Sequence, residues 1–228
     1  MALPQNPPVT VRQFGHEKEP VVVIDGFSGM AEELRAQALG AEYRDGGAHY
    51  PGIRAWAEPA YLDRRRELMF AIMQRVFGFR RGIQMEVSTF SLVTTPPEDL
   101  SPAQRNPHFD DTGSDVIGIM HYLLDQESGG TAFYRHRRTR FEAITPERAA
   151  RYREALEEDE AEFGPVPARY HYGNSERYEL IGEVEAKPDR LIIYRGRLLH
   201  SGKIPSAENL SGDPAKGRLT INMFLRGR

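Results

Sequence analysis

The texture of the chain changes at Ile83, and that change limits the folds open to it. Before it, two stretches carry helical spacing. Ser28 stands as an N-cap ahead of Met30-Ala31-Glu32-Glu33-Leu34 and predicts a helix to about Leu39. Leu62, Leu68, Ile72 and Val76 predict a second helix over residues 59–76, closed by Gly78. After Ile83 the chain reads as short strands. Residues 83–90 alternate apolar with polar, residues 116–124 are nearly all apolar, and residues 131–134 follow a Gly129-Gly130 turn. Further strands are predicted at 178–184, 190–194 and 218–225. Thr145, Pro146 and Glu147 open a third helix, expected to reach about residue 162. The Pro-rich residues 1–20 are expected to form a loosely docked arm, residues 21–24 a short strand, and residues 46–52, between the first two helices, a loop. Helices first and many short strands afterwards describe an α+β, mainly β chain, with helices packed against a β-sandwich or barrel.

Composition narrows what such a chain does. At 228 residues it is long enough for one buried core, and it is read as a single domain in which 1–82 support a core at 83–228. With 39% apolar and 28% charged residues it is an ordinary globular sequence. A formal charge of −3 gives no general pull towards nucleic acid or an anionic membrane. No apolar run approaches the ~20 residues of a membrane span, and residues 1–20 lack the pattern of a secretion signal, so a cytoplasmic location is expected. There is no cysteine. Disulfides, thiolate zinc sites, iron–sulfur clusters and cysteine nucleophiles are thereby excluded, and any metal must be held by histidine and carboxylate.

Such a set exists. His108 and Asp110 flank Phe109, and alternate residues of an extended chain share a face. His200 lies far along the chain, just past the apolar run at 191–194. Two histidines and one carboxylate leave three positions open on an octahedral ion, the facial arrangement of non-haem Fe(II) oxygenases. Arg218 and Thr220 then open the last predicted strand on one shared face. A guanidinium grips a carboxylate through two bonds and a neighbouring hydroxyl adds a third, as a chelating keto acid would require at its far end.

Taken in order, these pieces resemble the 2-oxoglutarate-dependent Fe(II) oxygenase superfamily, in its prolyl-hydroxylase-like branch. The matching elements are His108-x-Asp110, His121-Tyr122-Leu123-Leu124-Asp125, Gly129-Gly130-Thr131-Ala132-Phe133, the stretch from Lys187 through His200-Ser201-Gly202, and Arg218-x-Thr220. The resemblance implies a double-stranded β-helix (jelly-roll, cupin-like) core with supporting N-terminal α-helices. It implies Fe(II) on His108, Asp110 and His200, with 2-oxoglutarate and O2 as co-substrates. It also implies that Tyr122 hydrogen-bonds the far carboxylate beside Arg218 and Thr220. Substrate oxidation would release succinate and CO2. The carboxylate at Asp110, where a small residue would admit halide, favours hydroxylation over halogenation. Thr131 follows the glycine pair at once, where the family's strand often reads G-G-E-T-x-F.

Residues 135–178 are longer and more charged than a bare core needs, and are read as an insertion that carries substrate contacts, with Arg135 and His136 as candidates and His171 as a further one. Within it, the basic run 135–140 is expected to pair mostly with the acids of the following helix. His121 is expected to be a packed, hydrogen-bonded residue, and Asp111 and Asp115 loop hydrogen-bonders. Trp56 fits either a core plug or a wall of the active-site mouth. The substrate expected is a small molecule, an amino acid or a peptidyl side chain, without nucleic acid or membrane as partner. An exposed sheet edge or the N-terminal helices would support a homodimer. Two other readings stand beside this one: a metal- or sugar-binding cupin-like module without redox chemistry, and a nucleic-acid demethylase resting on the basic run.

Overall fold

The computed structural model describes residues 6–124, 129–204 and 210–228. Its strands, all paired antiparallel, are β1 (Val9–Phe14), β2 (Glu19–Ile24), β3 (Arg44–Asp45), β4 (Gly52–Trp56), β5 (Ile83–Val93), β6 (Val116–Tyr122), β7 (Gly130–His136), β8 (Tyr178–Glu185), β9 (Arg190–Arg195), β10 (His200–Lys203) and β11 (Leu219–Gly227). They form an eight-stranded sheet in the order β1-β2-β9-β6-β11-β5-β4-β3 and a smaller sheet in the order β10-β7-β8. His108 makes a bridge to His200 that extends the smaller sheet by one more chain segment. The two sheets enclose a jelly-roll core.

Strand alternation sorts the large sheet into two faces. Leu92, Leu219, Ile221, Met223, Ile119, Leu191 and Ile193 point outward into an apolar layer, closed by Leu34 and Ala38 of helix α1 (Ala31–Leu39) and Met69, Ile72 and Met73 of helix α2 (Arg66–Arg75). The opposite face looks into the sandwich. At the β1–β2–β9 end that interior is filled by Val21, Val23, Phe133, Ile192 and Tyr194. The outer face of the small sheet is covered by helix α3 (Pro146–Phe163), with Tyr152 packed on Ala132, Tyr134, Ile144, Tyr178 and Leu199. Every residue of β7 is therefore buried.

A buried polar network ties the helical layer to the strands. His121, fully buried on β6, contacts Tyr61 Oη through Nδ1 at 3.0 Å and Asp189 Oδ1 through Nε2 at 2.9 Å. Asp189 also accepts from the Ser28 N–H, the Ser28 hydroxyl and the Gly29 N–H at 3.0, 2.5 and 2.7 Å. It sits in a left-handed turn at φ 59°, a conformation that Asp tolerates better than most residues. His121 is thus a partnered structural residue, as expected.

Several local expectations are corrected. The N-terminal arm contains β1, paired along its length with β2. β4 starts at the last residue of the expected loop and runs on to Trp56, held by pairing with β5 rather than by an apolar pattern of its own. β10 is likewise made by its partner β7. The stretch at 59–76 is a 3-10 segment, Pro59–Arg65, followed by α2; the break falls where buried Arg65 donates to the Phe27 carbonyl at 3.0 Å. Ser28 is not the helix cap. Met30 holds that position, and the Ser28 hydroxyl accepts its N–H at 3.0 Å. Trp56 is 66% exposed, neither plug nor wall. Asp125 lies outside the described residues. No helix among the described residues is long and apolar enough to cross a membrane.

Candidate metal centre and its cavity

The small sheet places the two candidate histidines side by side. His108 N–H donates to the His200 carbonyl and His200 N–H donates to the His108 carbonyl, both at 2.8 Å. Paired residues of an antiparallel ladder point to one side, and the two rings stand 4.4 Å apart between centroids. Asp110 is pinned by its N–H to the Gly196 carbonyl at 2.7 Å, which brings its carboxylate onto the same side. Its oxygens lie 3.8 Å from His108 Nε2 and 3.7 Å from His200 Nε2. One ligand atom from each of the three falls within 4.8 Å of the others, a spacing that a single ion can bridge.

The surroundings suit a cation. His200 Nδ1 donates to the Leu198 carbonyl at 2.8 Å, which fixes the tautomer and leaves Nε2 with its lone pair towards the centre. Enclosure by the surrounding protein pushes the His200 and His108 imidazoles down to about 4, with the neighbouring His200 adding to the effect at His108, whose ring is enclosed yet 54% accessible, so both are neutral donors at physiological pH. Burial raises the Asp110 carboxyl to about 6, against the pull of His108 and Arg54. Asp110 Oδ2 is buried without a hydrogen-bond partner. A carboxylate left in that state is costly unless a positive ion meets it. Space is kept by glycine: a Cβ at Gly118 would stand 3.1 Å from the Tyr194 ring and 3.4 Å from Asp110 Oδ2, and one at Gly196 would stand 3.3 Å from Asp110 Cβ.

These groups open into a cavity of about 440 Å³ between the sheets. That falls in the usual ~300–1,000 Å³ range of small-ligand sites. Arg218 projects into it from the start of β11. The residue is 3% exposed and its guanidinium donates to the Gly130 carbonyl at 2.8 Å, yet Nε has no partner and, among the described residues, no carboxylate pairs with it. A buried, uncompensated guanidinium calls for an anion.

The other predicted clamp residues are placed differently. Thr220 is fully buried beneath the cavity floor and its hydroxyl donates to Asn222 Oδ1 at 2.8 Å, so the third bond to a carboxylate is not available from it in this arrangement. Tyr122 is also fully buried, with its hydroxyl 2.6 Å from Thr131 Oγ1. Thr131, not Tyr122, lines the cavity. Alternation along the strands placed both side chains on the correct face but could not give their depth.

Arg135 and His136 do not line the cavity, and the expectation that they touch substrate is corrected. Arg135 is buried in an ion pair with Glu142 and a second with Glu179 at 2.9 Å. His136 bonds Asp159 at 2.8 Å and Thr139 at 2.9 Å beneath α3. Arg138 pairs with Asp159 at 2.5 Å and also with Glu162 of α3, but Arg135 and Arg140 turn to Glu179 on β8 and Arg137 donates to the Ser175 carbonyl, so the following helix meets only part of the basic run. The same insertion does reach the cavity through Tyr170 and His171. His171 Nε2 is buried without a partner, and burial pushes this imidazole down to about 4. Tyr50 and Arg54 also line it, and no sequence motif points to either.

The solved structures that the fold resembles share little sequence with it. SnoN, the non-heme alpha ketoglutarate dependent epimerase from nogalamycin biosynthesis, is 16% identical with a TM-score of 0.51 over 92% of this chain and 80% of that one. HygX from Streptomyces hygroscopicus, solved with nickel and 2-oxoglutarate bound, is 14% identical with a TM-score of 0.49 over 92% and 84%. The viral collagen prolyl hydroxylase vCPH from Paramecium Bursaria Chlorella virus-1 is 11% identical with a TM-score of 0.47 over 91% and 96%. No curated protein matches the chain in sequence. The sequence pattern of DUF6445, a family of unknown function, matches residues 5–225, nearly the whole length, and the chain belongs to that family.

Proposed function

We propose that this protein is a non-haem Fe(II)- and 2-oxoglutarate-dependent oxygenase that hydroxylates an unactivated C–H bond of a small molecule, an amino acid or a peptidyl side chain. The observation that carries the reading is the pairing, in one cavity, of a His108–Asp110–His200 cluster with the buried, acid-free guanidinium of Arg218. A metal site alone fits many folds, including a cupin-like binding module. Such a module has no need of a sequestered cation beside it.

The donor set suits iron: two neutral imidazoles and one carboxylate, gathered on one side of the cavity. His108, Asp110 and His200 would hold the ion, and Arg218 would take the far carboxylate of 2-oxoglutarate, with the Thr131 hydroxyl at hand. When bound, iron supplies the redox chemistry that couples oxidative decarboxylation of 2-oxoglutarate to oxidation of substrate. The chain's part is to orient and to exclude water. Tyr194 packs edge-on against His200 at 4.8 Å and against Phe133 at 5.4 Å, and so shields the metal side from bulk solvent. The likeness in fold to SnoN, a protein described as a non-heme alpha ketoglutarate dependent epimerase, supports the class and does not select hydroxylation within it.

The test is turnover. Purified protein with Fe(II), O2 and 2-oxoglutarate is expected to form succinate, and His108→Ala to form none above the protein-free rate. Equal succinate formation by His108→Ala would remove the ligand assignment.

A further inference from the structure

One charged group in the cavity is left unused by this reading. Arg54 is carried by β4 and lies in one cross-sheet row with Ser91, Thr220 and Tyr122, so it faces the sandwich interior. Its guanidinium lies over the Tyr50 ring at 4.0 Å from the centroid. Among the described residues it makes no hydrogen bond and no ion pair, and its Nε is buried without a partner.

That state is unusual within this chain. Arg135 is matched to Glu142 and Glu179, Arg190 to Asp25, and Arg195 and Arg197 to Glu19. Arg54 and Arg218 are the two guanidiniums that line the cavity, and Asp110 is the one carboxylate there among the described residues. The hydroxyl of Tyr50 is also buried, with the Ser91 side chain beside it but no well-formed hydrogen bond, within the field of both arginines, and His171 contributes the unpartnered Nε2.

Charge then decides the class of ligand. With a divalent ion, Asp110, both arginines and doubly negative 2-oxoglutarate in place, one positive charge remains without a counter-charge. A planar guanidinium backed by an aromatic ring is suited to two parallel bonds to the oxygens of a carboxylate or phosphate. A desolvated cation left without such a partner is penalised.

We propose that Arg54, with Tyr50, receives an anionic oxygen group of the substrate, so that the molecule oxidised is a small carboxylic acid or phosphate ester. This deepens the iron and 2-oxoglutarate reading and rests on it. It also assigns the selectivity of the site to β4, outside the metal and co-substrate residues. Neutral compounds of equal shape would leave Arg54 uncompensated and bind more weakly.

The test uses full-length protein preloaded with Mn(II), freed of excess metal, saturated with 2-oxoglutarate and melted at constant ionic strength. Acetate, inorganic phosphate and acetamide are the probes. Either anion is expected to raise the melting temperature above a chloride control by roughly 3–6 °C at ten times its dissociation constant, while acetamide does not. The lower dissociation constant, read from the concentration dependence of the shift, distinguishes a carboxylic acid from a phosphate ester. Arg54→Gln should lose that shift yet keep the full rise produced by 2-oxoglutarate, and Arg54→Lys should recover part of it. The proposal is overturned if neither anion exceeds chloride and acetamide, or if Arg54→Gln retains the shift. It is also overturned if Arg54→Gln loses the 2-oxoglutarate rise, because Arg54 would then belong to the co-substrate. A wild-type protein that shows no rise with 2-oxoglutarate rejects the oxygenase reading itself and the proposal with it, a result distinct from the other three.

Discussion

On the outer face of the large sheet, Tyr61, His121, Asp189 and Ser28 meet one another's hydrogen-bonding needs inside an apolar layer. Around the cavity on the other side of that sheet, Tyr50 Oη, Arg54 Nε, Asp110 Oδ2, His171 Nε2 and Arg218 Nε are buried without a hydrogen bond. Among the described residues, seven buried side-chain polar atoms lack a partner, and these five sit on residues that line one cavity. Buried polar groups are normally satisfied, so the contrast separates a face built for stability from one built to receive ligands. Substitutions should respect that division, with inner-face changes abolishing binding at little cost to folding and outer-face changes doing the reverse.

The largest effect is expected at His108. His108→Ala should abolish metal-dependent succinate formation and leave the melting temperature of the ligand-free protein within about 2 °C of wild type, because its imidazole is 54% exposed and its fold contacts are made by its backbone. A large drop in melting temperature would break the contrast. Asp189→Ala is the counterpart. It strips the acceptor from His121, Ser28 and Gly29 together, and should destabilise the protein by about 3–5 kcal/mol, read as a fall in denaturation midpoint. Metal affinity of the fraction still folded should be unchanged.

Acid should expose the same outer-face network. Burial would raise the Asp189 carboxyl, but the hydrogen bonds from His121 and Ser28 prevail and hold it at about 2, below the usual carboxylate value. Its folded-state pKa is depressed, so its contribution is fully present above about pH 4 and is lost as pH falls through about 2. Roughly 2 kcal/mol is at stake. Stability measured across that window should decline less steeply in Asp189→Asn, and an equal slope would assign the acid sensitivity elsewhere. The smallest effect belongs to Arg54→Gln in the ligand-free protein. Relief of the unpaired cation and loss of its stacking on Tyr50 oppose each other, so stability should change by no more than about 0.5 kcal/mol.

The two faces also differ in how legible they are in the sequence. Strands with apolar alternation or a continuous apolar run, such as β5, β6, β9 and β11, announce themselves because their outer-face residues need the core. β1, β4 and β10 do not, since VTVRQF, GIRAW and HSGK owe their extended form to a neighbour's ladder. Arg54 is illegible for that reason: it sits on a strand whose pattern reads as loop. The metal trio and Arg218 are readable from residue type and order. Depth is not. Tyr122 and Thr220 share the face of Arg218 but lie one layer below the cavity. His136 meets Asp159 of α3 and Arg135 meets Glu142 and Glu179, and nothing in their local spacing reports partners arriving from later in the chain.

The central claim is that the His108–Asp110–His200 centre and Arg218 together bind one keto acid. Calorimetric titration of 2-oxoglutarate into Mn(II)-loaded protein without oxygen tests it most directly. One equivalent should bind to the wild type, with affinity lost when metal is removed and lost in Arg218→Leu, although that variant still takes up Mn(II). Binding that survives removal of the metal, or that is as tight in Arg218→Leu as in the wild type, would contradict the account.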